Sequence, residues 1–305
     1  MSWEDTFRLW SKPLSETAQE KAENAESVVK DAIKADVELA KLDVFAFTQG
    51  SYKANTNIRY ESDVDICVVL RECFYADYPQ GQKNENYGNT TSSNWKYSEF
   101  KDMVGKALEN KVGKKGVTRG KKAFDVHENS YRIDADVVPA FEYRRYTGAI
   151  TLSGLYAYHS GIAFDPNDGR RIINWPDQAY RNGVGKNNDT GRRYKSMVRV
   201  LKRLRNKMQD DDIEAAEDIS SSLVDSLVWN VPISYFGNDQ YKDDVRNVLM
   251  HTFNDTRNYE DCKEWREVNE LKYLFGPWQP APGQPWTRDK AHNFISAAWD
   301  YTGFK

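Results

Sequence analysis

Apolar positions in this chain change their spacing twice, and the changes divide it into segments. From Ser15 to Leu39, Val28, Val29, Ile33, Val37 and Leu39 recur at helical spacing in a stretch rich in Ala, Glu and Lys. Pro13 and Ser15 stand where such a helix starts. The spacing then shortens. Phe45 to Thr48 and the β-branched run Asp65 to Leu70 read as strands. Residues 75–94 are polar and aperiodic and read as a loop, followed by a helix over Trp95 to Asn110. Ala123 to His127 and Tyr131 to Val138 read as further strands, with Pro139 ending the second.

Beyond about Gly148 the pattern changes again. Gly161 to Asn188 is rich in Gly, Asn, Asp and Pro and reads as a long connection with short strands. Helical spacing returns in the stripe Tyr194, Met197, Val198, Leu201, Leu204 and Met208. Helices are also expected over Ser221 to Asn230, Tyr241 to Tyr259, Cys262 to Phe275 and Arg288 to Trp299, with Pro277 to Pro285 a rigid connector. The prediction is an α+β chain. A long N-terminal helix (1–40) braces a mixed-sheet lobe (41–150), a connecting segment (151–190) and a helical lobe (191–305).

Composition narrows the function. The chain has 305 residues and a net charge of -3, which argues against a duplex-binding surface. Lys111 to Lys122 is basic among glycines and reads as a solvated loop or hairpin more readily than as a phosphate contact. Three cysteines and four scattered histidines have no zinc spacing, and the unpaired thiol fits a reducing compartment. No apolar run nears the roughly 18 residues of a membrane span, and the first residues lack a basic-then-apolar signal. The expectation is a cytoplasmic protein with no membrane partner.

The candidate chemistry lies in the sheet segment. Gln49-Gly50-Ser51 is followed, after eleven residues, by Asp63-Val64-Asp65. Alternation puts Asp63 and Asp65 on one strand face, and Asp134 and Asp136 on one face of another. Carboxylates this close repel unless a cation lies between them, and oxygen ligands suit a hard divalent metal. Gly50 allows close backbone approach to a phosphate, and Ser51 offers a hydroxyl and an N–H. Lys195, Arg199 and Lys202 form a cationic helix stripe. Together these residues suit phosphoryl or nucleotidyl transfer, in which metal ions and lysines offset the charge of a nucleoside triphosphate. Trp175 and Tyr194 read as core residues before base-stacking ones.

Gln49-Gly50-Ser51-Tyr52-Lys53, Ser62-Asp63-Val64-Asp65 and Asp136-Val137-Val138-Pro139-Ala140 resemble the bacterial cGAS/DncV-like nucleotidyltransferases of CBASS anti-phage systems, within the polymerase-β-type superfamily. Ile173-Asn174-Trp175-Pro176, Arg193 to Arg199 and Val228 to Pro232 extend the resemblance over most of the chain. It implies a polymerase-β-like nucleotidyltransferase lobe and two Mg²⁺ ions, with Mn²⁺ able to substitute, on Asp63, Asp65 and Asp136. Asp136 rather than Asp134 is favoured by its place before Val-Val-Pro, and would help activate the attacking hydroxyl. Gly50 and Ser51 would contact the triphosphate, with Lys202 and Ser222 as further phosphate ligands and Lys195 assisting. Ser222 has a competing reading as a helix cap with Ser220 and Ser221. Asn174 is the candidate base-pocket amide, which would favour uridine, against a reading as a turn residue.

The implied activity is synthesis of a cyclic dinucleotide or oligonucleotide second messenger from NTPs, with pyrophosphate released. The product would act on a separate effector protein. No DNA activator is expected, because the chain lacks a Cys/His zinc insertion, and a monomer is expected. The competing readings are a terminal RNA nucleotidyltransferase and a non-catalytic binding or antitoxin-type protein of the same fold.

Overall fold

The computed structural model describes residues 2–58, 63–88, 94–167, 169–276 and 286–304. Ser62, part of the expected 75–94 loop and the Pro277–Pro285 connector lie outside these residues. In chain order the elements are α1 (Trp3–Trp10), α2 (Glu16–Ala35), β1 (Val44–Thr48), α3 (Gly50–Ala54), β2 (Val64–Asp77), α4 (Tyr97–Val112), β3 (Val117–Arg119), β4 (Phe124–Val126), β5 (Ala135–Ile150), β6 (Tyr156–Phe164) and β7 (Ile172–Asn174). Then follow α5 (Pro176–Asp189), α6 (Arg193–Asp210), α7 (Ser221–Trp229), α8 (Tyr241–Thr256), α9 (Tyr259–Cys262) and α10 (Arg288–Thr302).

The chain forms two compact units that are not contiguous in sequence. One comprises Ser15–Lys53 and Arg59–Asp177. The other comprises Met1–Leu14, Ala54–Ile58 and Gln178–Lys305. The N-terminal helical region is therefore divided, with α2 in the sheet unit and the separate helix α1, which sequence reading did not resolve, in the helical unit.

In the sheet unit the strand order is β1-β2-β5-β4-β3, with β6 pairing both β5 and β7. Among the described residues β2 and β5 pair in parallel, and the other pairs are antiparallel. Alternation sorts their side chains. Val64, Ile66, Val68 and Leu70 join Ala135 and Val137 in a core with α2 and α4. On the opposite face Cys67, Val69, Val138 and Ala140 form a smaller apolar cluster with Ile162 and Phe164. Helix α2 buries mainly small residues, Ala18, Ala22, Ala25 and Ala32 with Val29 and Ile33, which allows close packing. Ser15 caps it by accepting from the Ala18 N–H, a contact worth about 1 kcal/mol. The helix stops at Ala35, so Val37, expected on its apolar face, is exposed.

Three further expectations need correction. Pro139 does not end its strand, since β5 continues to Ile150. Pro139 lies opposite Val68, in the gap between Val137, the last residue paired to β4, and Phe141, the first paired to β6. On that side no neighbouring strand calls for the N–H that proline lacks. The helix expected over Cys262–Phe275 is replaced by the short α9 and a bridge between Arg266 and Tyr273. Glu270, at φ +62°, turns the chain there. The 161–188 connection is largely ordered as the end of β6, β7 and most of α5.

The basic stretch is a short hairpin, β3–β4, as the sequence favoured. Lys101 of α4 is buried, and its ammonium donates to the carbonyls of Gly120 and Lys121 (3.3 and 2.8 Å) and to Asn167 Oδ1 (3.3 Å), fixing the hairpin turn. In the helical unit, the apolar stripe of α6 packs with α7, α8, α10 and Phe7 of α1 into one core.

Candidate active site

Strand register brings the predicted carboxylates together. Asp65 on β2 lies opposite Asp136 on β5, and Asp136 lies opposite Asp125 on β4. Two residues along each strand returns to the same face, so Asp63, Asp134 and His127 make a second row beside the first. Val64, Ala135 and Val126 between the rows are buried, which fixes the side of the sheet on which the ionisable groups stand. The Val64 N–H donates to the Asp134 carbonyl (2.9 Å) and holds the two strands in step.

The five carboxylates in these two rows repel one another when ionised. Burial, then the charges of Asp136, Asp134 and Asp125, hold the Asp63 carboxyl above the usual carboxylate range, although Asp63 is exposed enough for water to screen part of this. Asp136 is raised in the same way, by burial and then by Asp125 and Asp134. Ligand atoms of Asp125, His127 and Asp134 lie within 4.8 Å of one another, a spacing suited to one divalent cation. Oxygen-rich donors held against their mutual repulsion fit a hard divalent cation. Thr118 Oγ1 lies 2.9 Å from His127 Nε2, and Nδ1 faces Asp125 Oδ2 at 3.6 Å. Asp134 Oδ1 accepts from the Glu128 N–H.

The glycine–serine turn adjoins the first row. The Gln49 N–H donates to the Asp65 carbonyl (2.8 Å), and Gly50 opens α3 at φ +66°. A Cβ placed on Gly50 would stand 2.3 Å from Asp65 Oδ2, so only glycine lets the turn lie against that carboxylate. Thr48 Oγ1 donates to Glu26 Oε2 (2.8 Å), and Lys30 pairs with the same carboxylate (2.7 Å), tying the entry to the turn back to α2.

The residues of the helical unit are placed less simply. Lys202 is 1% exposed, and its ammonium contacts Asp225 (2.8 Å) and both the carbonyl and the hydroxyl of Thr56 (3.3 Å each). Arg199 and Arg203, on the same stripe, donate to backbone carbonyls of Ser11 and Asn55 and of Trp10 and Lys12 respectively. Lys195 is half-buried beside Tyr180, with its ammonium 5.8 Å from the ring centre. Burial and the neighbouring Arg199 lower its proton affinity. Ser222 lies exposed in the first turn of α7, where Ser220 and not Ser222 caps the helix, accepting from the Leu223 N–H (3.1 Å).

Asn174 belongs to the sheet unit, on β7 opposite Ile162. Gly161 packs so closely beneath this strand that a Cβ there would lie 2.7 Å from the Asn174 carbonyl oxygen. Trp175 is buried, with Tyr143 at its edge and the Arg145 guanidinium 4.4 Å from its ring centre. Tyr194 is buried against Trp229. Both aromatic rings are core residues.

Known proteins are similar to this chain over nearly its whole length. A cyclic dipyrimidine nucleotide synthase CdnE of Legionella pneumophila is 44% identical over 302 residues, covering 99% of this chain and 98% of that protein. The chain belongs to the cGAS/DncV-like nucleotidyltransferases. A second such synthase, from Cecembia lonarensis, is 40% identical over 302 residues, covering 99% of this chain and 98% of its own. The family model for the cGAS/DncV-like nucleotidyltransferase C-terminal helical domain matches residues 181–303. The solved Rhodothermus marinus CdnE c-UMP-AMP synthase, bound to Apcpp and Upnpp, aligns with a TM-score of 0.83 at 28% identity. The alignment covers 99% of this chain and 97% of that one.

As a cGAS/DncV-like nucleotidyltransferase the chain is an enzyme, and its α+β fold is that of the family. Asp125 and His127 are members of the site that sequence reading passed over. The available signal was the alternation Asp125-Val126-His127 beside the strand carrying Asp134 and Asp136.

Proposed function

We propose that this nucleotidyltransferase joins two nucleoside triphosphates into a cyclic dinucleotide containing at least one pyrimidine. The observation that carries the reading is the row Asp65–Asp136–Asp125 with the Gly50 turn against Asp65. The names of the two relatives most fully covered, both cyclic dipyrimidine nucleotide synthases, support the pyrimidine.

Asp63, Asp65 and Asp136 are the proposed ligands of two Mg²⁺ ions, with Asp125, His127 and Asp134 alongside. Bound there, the ions would supply charge stabilisation for the attacking hydroxyl oxygen and the leaving pyrophosphate. The chain's own residues do the rest. The backbone at Gly50 and the hydroxyl of Ser51 hold the triphosphate, with Lys195, Lys202 and Ser222 proposed as further phosphate contacts. A ribose hydroxyl of one nucleotide attacks the α-phosphorus of the other. The new P–O bond forms as the bond to the β-phosphate oxygen breaks, and pyrophosphate leaves. Asp136 is the proposed acceptor of the hydroxyl proton. A second round, with the roles of the two nucleotides exchanged, closes the ring.

The side-chain amide of Asn174 offers one donor and one acceptor, the complement of a uracil edge. Replacing it with serine shifts incorporation away from UTP in an NTP competition assay, and unchanged preference removes Asn174 from the base pocket. The product is proposed to signal to a separate effector in anti-phage defence. Pyrophosphate counting tests ring closure. A cyclic dinucleotide releases one pyrophosphate for each NTP consumed, whereas a linear dinucleotide releases one for every two. A ladder on added RNA would favour a terminal transferase instead, and no turnover would favour a binding protein.

A further inference from the structure

The strand that leads into the Gly50-Ser51 turn carries a polar side chain on its covered face. Thr48, the last residue of β1, lies opposite Ile66 on β2, and Ile66 belongs to the core shared with α2 and α4. Paired residues share a face, so Thr48 points toward α2, on the side of the sheet away from Asp65. The α2 side chain that meets it is charged. Glu26 Oε2 accepts from Thr48 Oγ1 (2.8 Å), and Glu26 Oε1 faces the Lys30 ammonium at 2.7 Å. Both carboxylate oxygens are therefore engaged. Burial favours the neutral form of Glu26, but the Lys30 and Thr48 contacts outweigh it and hold the carboxyl below the usual carboxylate range. An ionised acceptor makes this hydrogen bond stronger than one between neutral groups. Its neighbours on the covered side of α2 are Ala22, Ala25 and Val29, so packing alone gives no reason for a carboxylate here.

We propose that Glu26 is a positioning residue for nucleotidyl transfer, holding the entry to the phosphate turn through the Thr48 hydroxyl. Thr48 stands two residues before Gly50, and α2, β1 and the turn lie in the same compact unit. The turn has no slack. The Gln49 N–H is bonded to the Asp65 carbonyl, and the gap between Gly50 and Asp65 Oδ2 does not admit one methyl group. A shift of Thr48 by a fraction of an ångström therefore changes how the backbone at Gly50 and Ser51 meets a phosphate. This rests on assigning Gly50-Ser51 to the triphosphate, and Glu26 itself touches no nucleotide.

Ser15 supplies an internal control. It caps the same helix about 16 Å along the axis from Glu26, so its loss loosens α2 without touching Thr48. Four variants of the full chain, Thr48→Val, Thr48→Ser, Glu26→Met and Ser15→Ala, are compared for kcat and KM with NTPs and for Tm. Thr48→Val keeps the shape of the side chain and removes the donor. It is expected to raise KM roughly 10-fold, below the roughly 100-fold scale of an ångström-sized misplacement. Glu26→Met, which removes the acceptor, matches it, and Thr48→Ser, which keeps a hydroxyl, recovers most of the loss. Ser15→Ala lowers Tm yet keeps wild-type KM. The split between the constants decides, because a partly unfolded sample loses kcat with its active fraction and leaves KM unchanged. Wild-type KM in Thr48→Val, no recovery in Thr48→Ser, or an equal rise in Ser15→Ala would overturn the proposal. If Thr48→Val does not fold, Glu26→Met decides, and wild-type KM in that variant overturns it. Gly50→Ala is measured in parallel. Unchanged kcat/KM there would place the failure in the phosphate-turn assignment, whereas a lowered value beside wild-type KM in Thr48→Val would place it in the Glu26 contact.

Discussion

Gly50 lies against the carboxylate of Asp65, so closely that a Cβ on Gly50 would stand 2.3 Å from Asp65 Oδ2. The turn and the carboxylate row thus form one construction, and the fit depends on a missing side chain. Gly50→Ala must move one of them, and it also places alanine at φ +66°, a strain of about 1–2 kcal/mol. The expected outcome is a folded enzyme with Tm lowered by a few degrees and kcat/KM lowered on the order of 100-fold. Steady-state kinetics beside thermal unfolding separate the two effects, and a variant that loses only stability would show that the turn does not touch substrate.

The two ionisable residues at β4 make their own prediction. Asp125 and His127 stand beside Asp134 and Asp136 on the neighbouring strand, so they tune whatever cation the site holds. Asp125→Asn and His127→Ala are each expected to weaken Mn²⁺ binding roughly 10-fold, the usual scale for groups that orient metal ligands. Titration of the free protein followed by Mn²⁺ paramagnetic resonance measures this without turnover. Wild-type affinity in both variants would confine the cation to Asp63, Asp65 and Asp136.

Lys186 predicts a pH dependence in the helical unit. Its ammonium donates to the Trp229 and Val231 carbonyls among aromatic rings, and burial pushes it down to about 8. An unfolded lysine titrates near 10.4. Between these values the unfolded chain binds a proton that the folded one does not, so this residue makes stability rise as pH increases from about 8 to about 10.4. Below about 8 both states are protonated and the contribution is flat. Urea unfolding across pH 7.5–10 should show that slope in the wild type and a shallower one in Lys186→Met. Parallel curves would mean that the carbonyls and rings hold the charge without cost.

The close packing of Gly161 predicts a change that reaches Asn174. A methyl group there meets the Asn174 carbonyl and the Trp175 ring at 2.7–2.9 Å. Gly161→Ala is expected to cost about 1–3 kcal/mol by overpacking, read as a lowered midpoint in urea. If Asn174 reads the base, the same variant also alters NTP preference, which the competition assay detects.

These residues show how far the sequence could be read. That Asp63 and Asp65 share one strand face, and Asp134 and Asp136 another, was legible because strand side chains alternate and the apolar runs beside them identify the strands. The place of Asp125 and His127 beside them was not, because it depends on β4 pairing with β5, which the alternation Asp125-Val126-His127 does not itself encode. The α6 stripe shows a different limit. Spacing correctly put Lys195, Arg199 and Lys202 on one side of a helix, but a period does not say whether that side meets water, ligand or backbone. Here Arg199 and Lys202 are buried on carbonyls contributed by residues more than 140 positions earlier, contacts that no local pattern encodes. Pro139 was misjudged for a related reason. Whether a proline breaks a strand depends on whether a neighbouring strand needs its N–H, and that neighbour is distant in sequence.

The most direct test of the central claim is product analysis. The wild-type protein and Asp136→Asn are incubated with labelled UTP, CTP, ATP and GTP in pairs, with Mg²⁺ or Mn²⁺, and the reactions are treated with phosphatase and resolved. The account predicts a small phosphatase-resistant product from the wild type, strongest when a pyrimidine nucleotide is present, and none from Asp136→Asn. Only phosphatase-sensitive linear products, or an equal yield from Asp136→Asn, would contradict it.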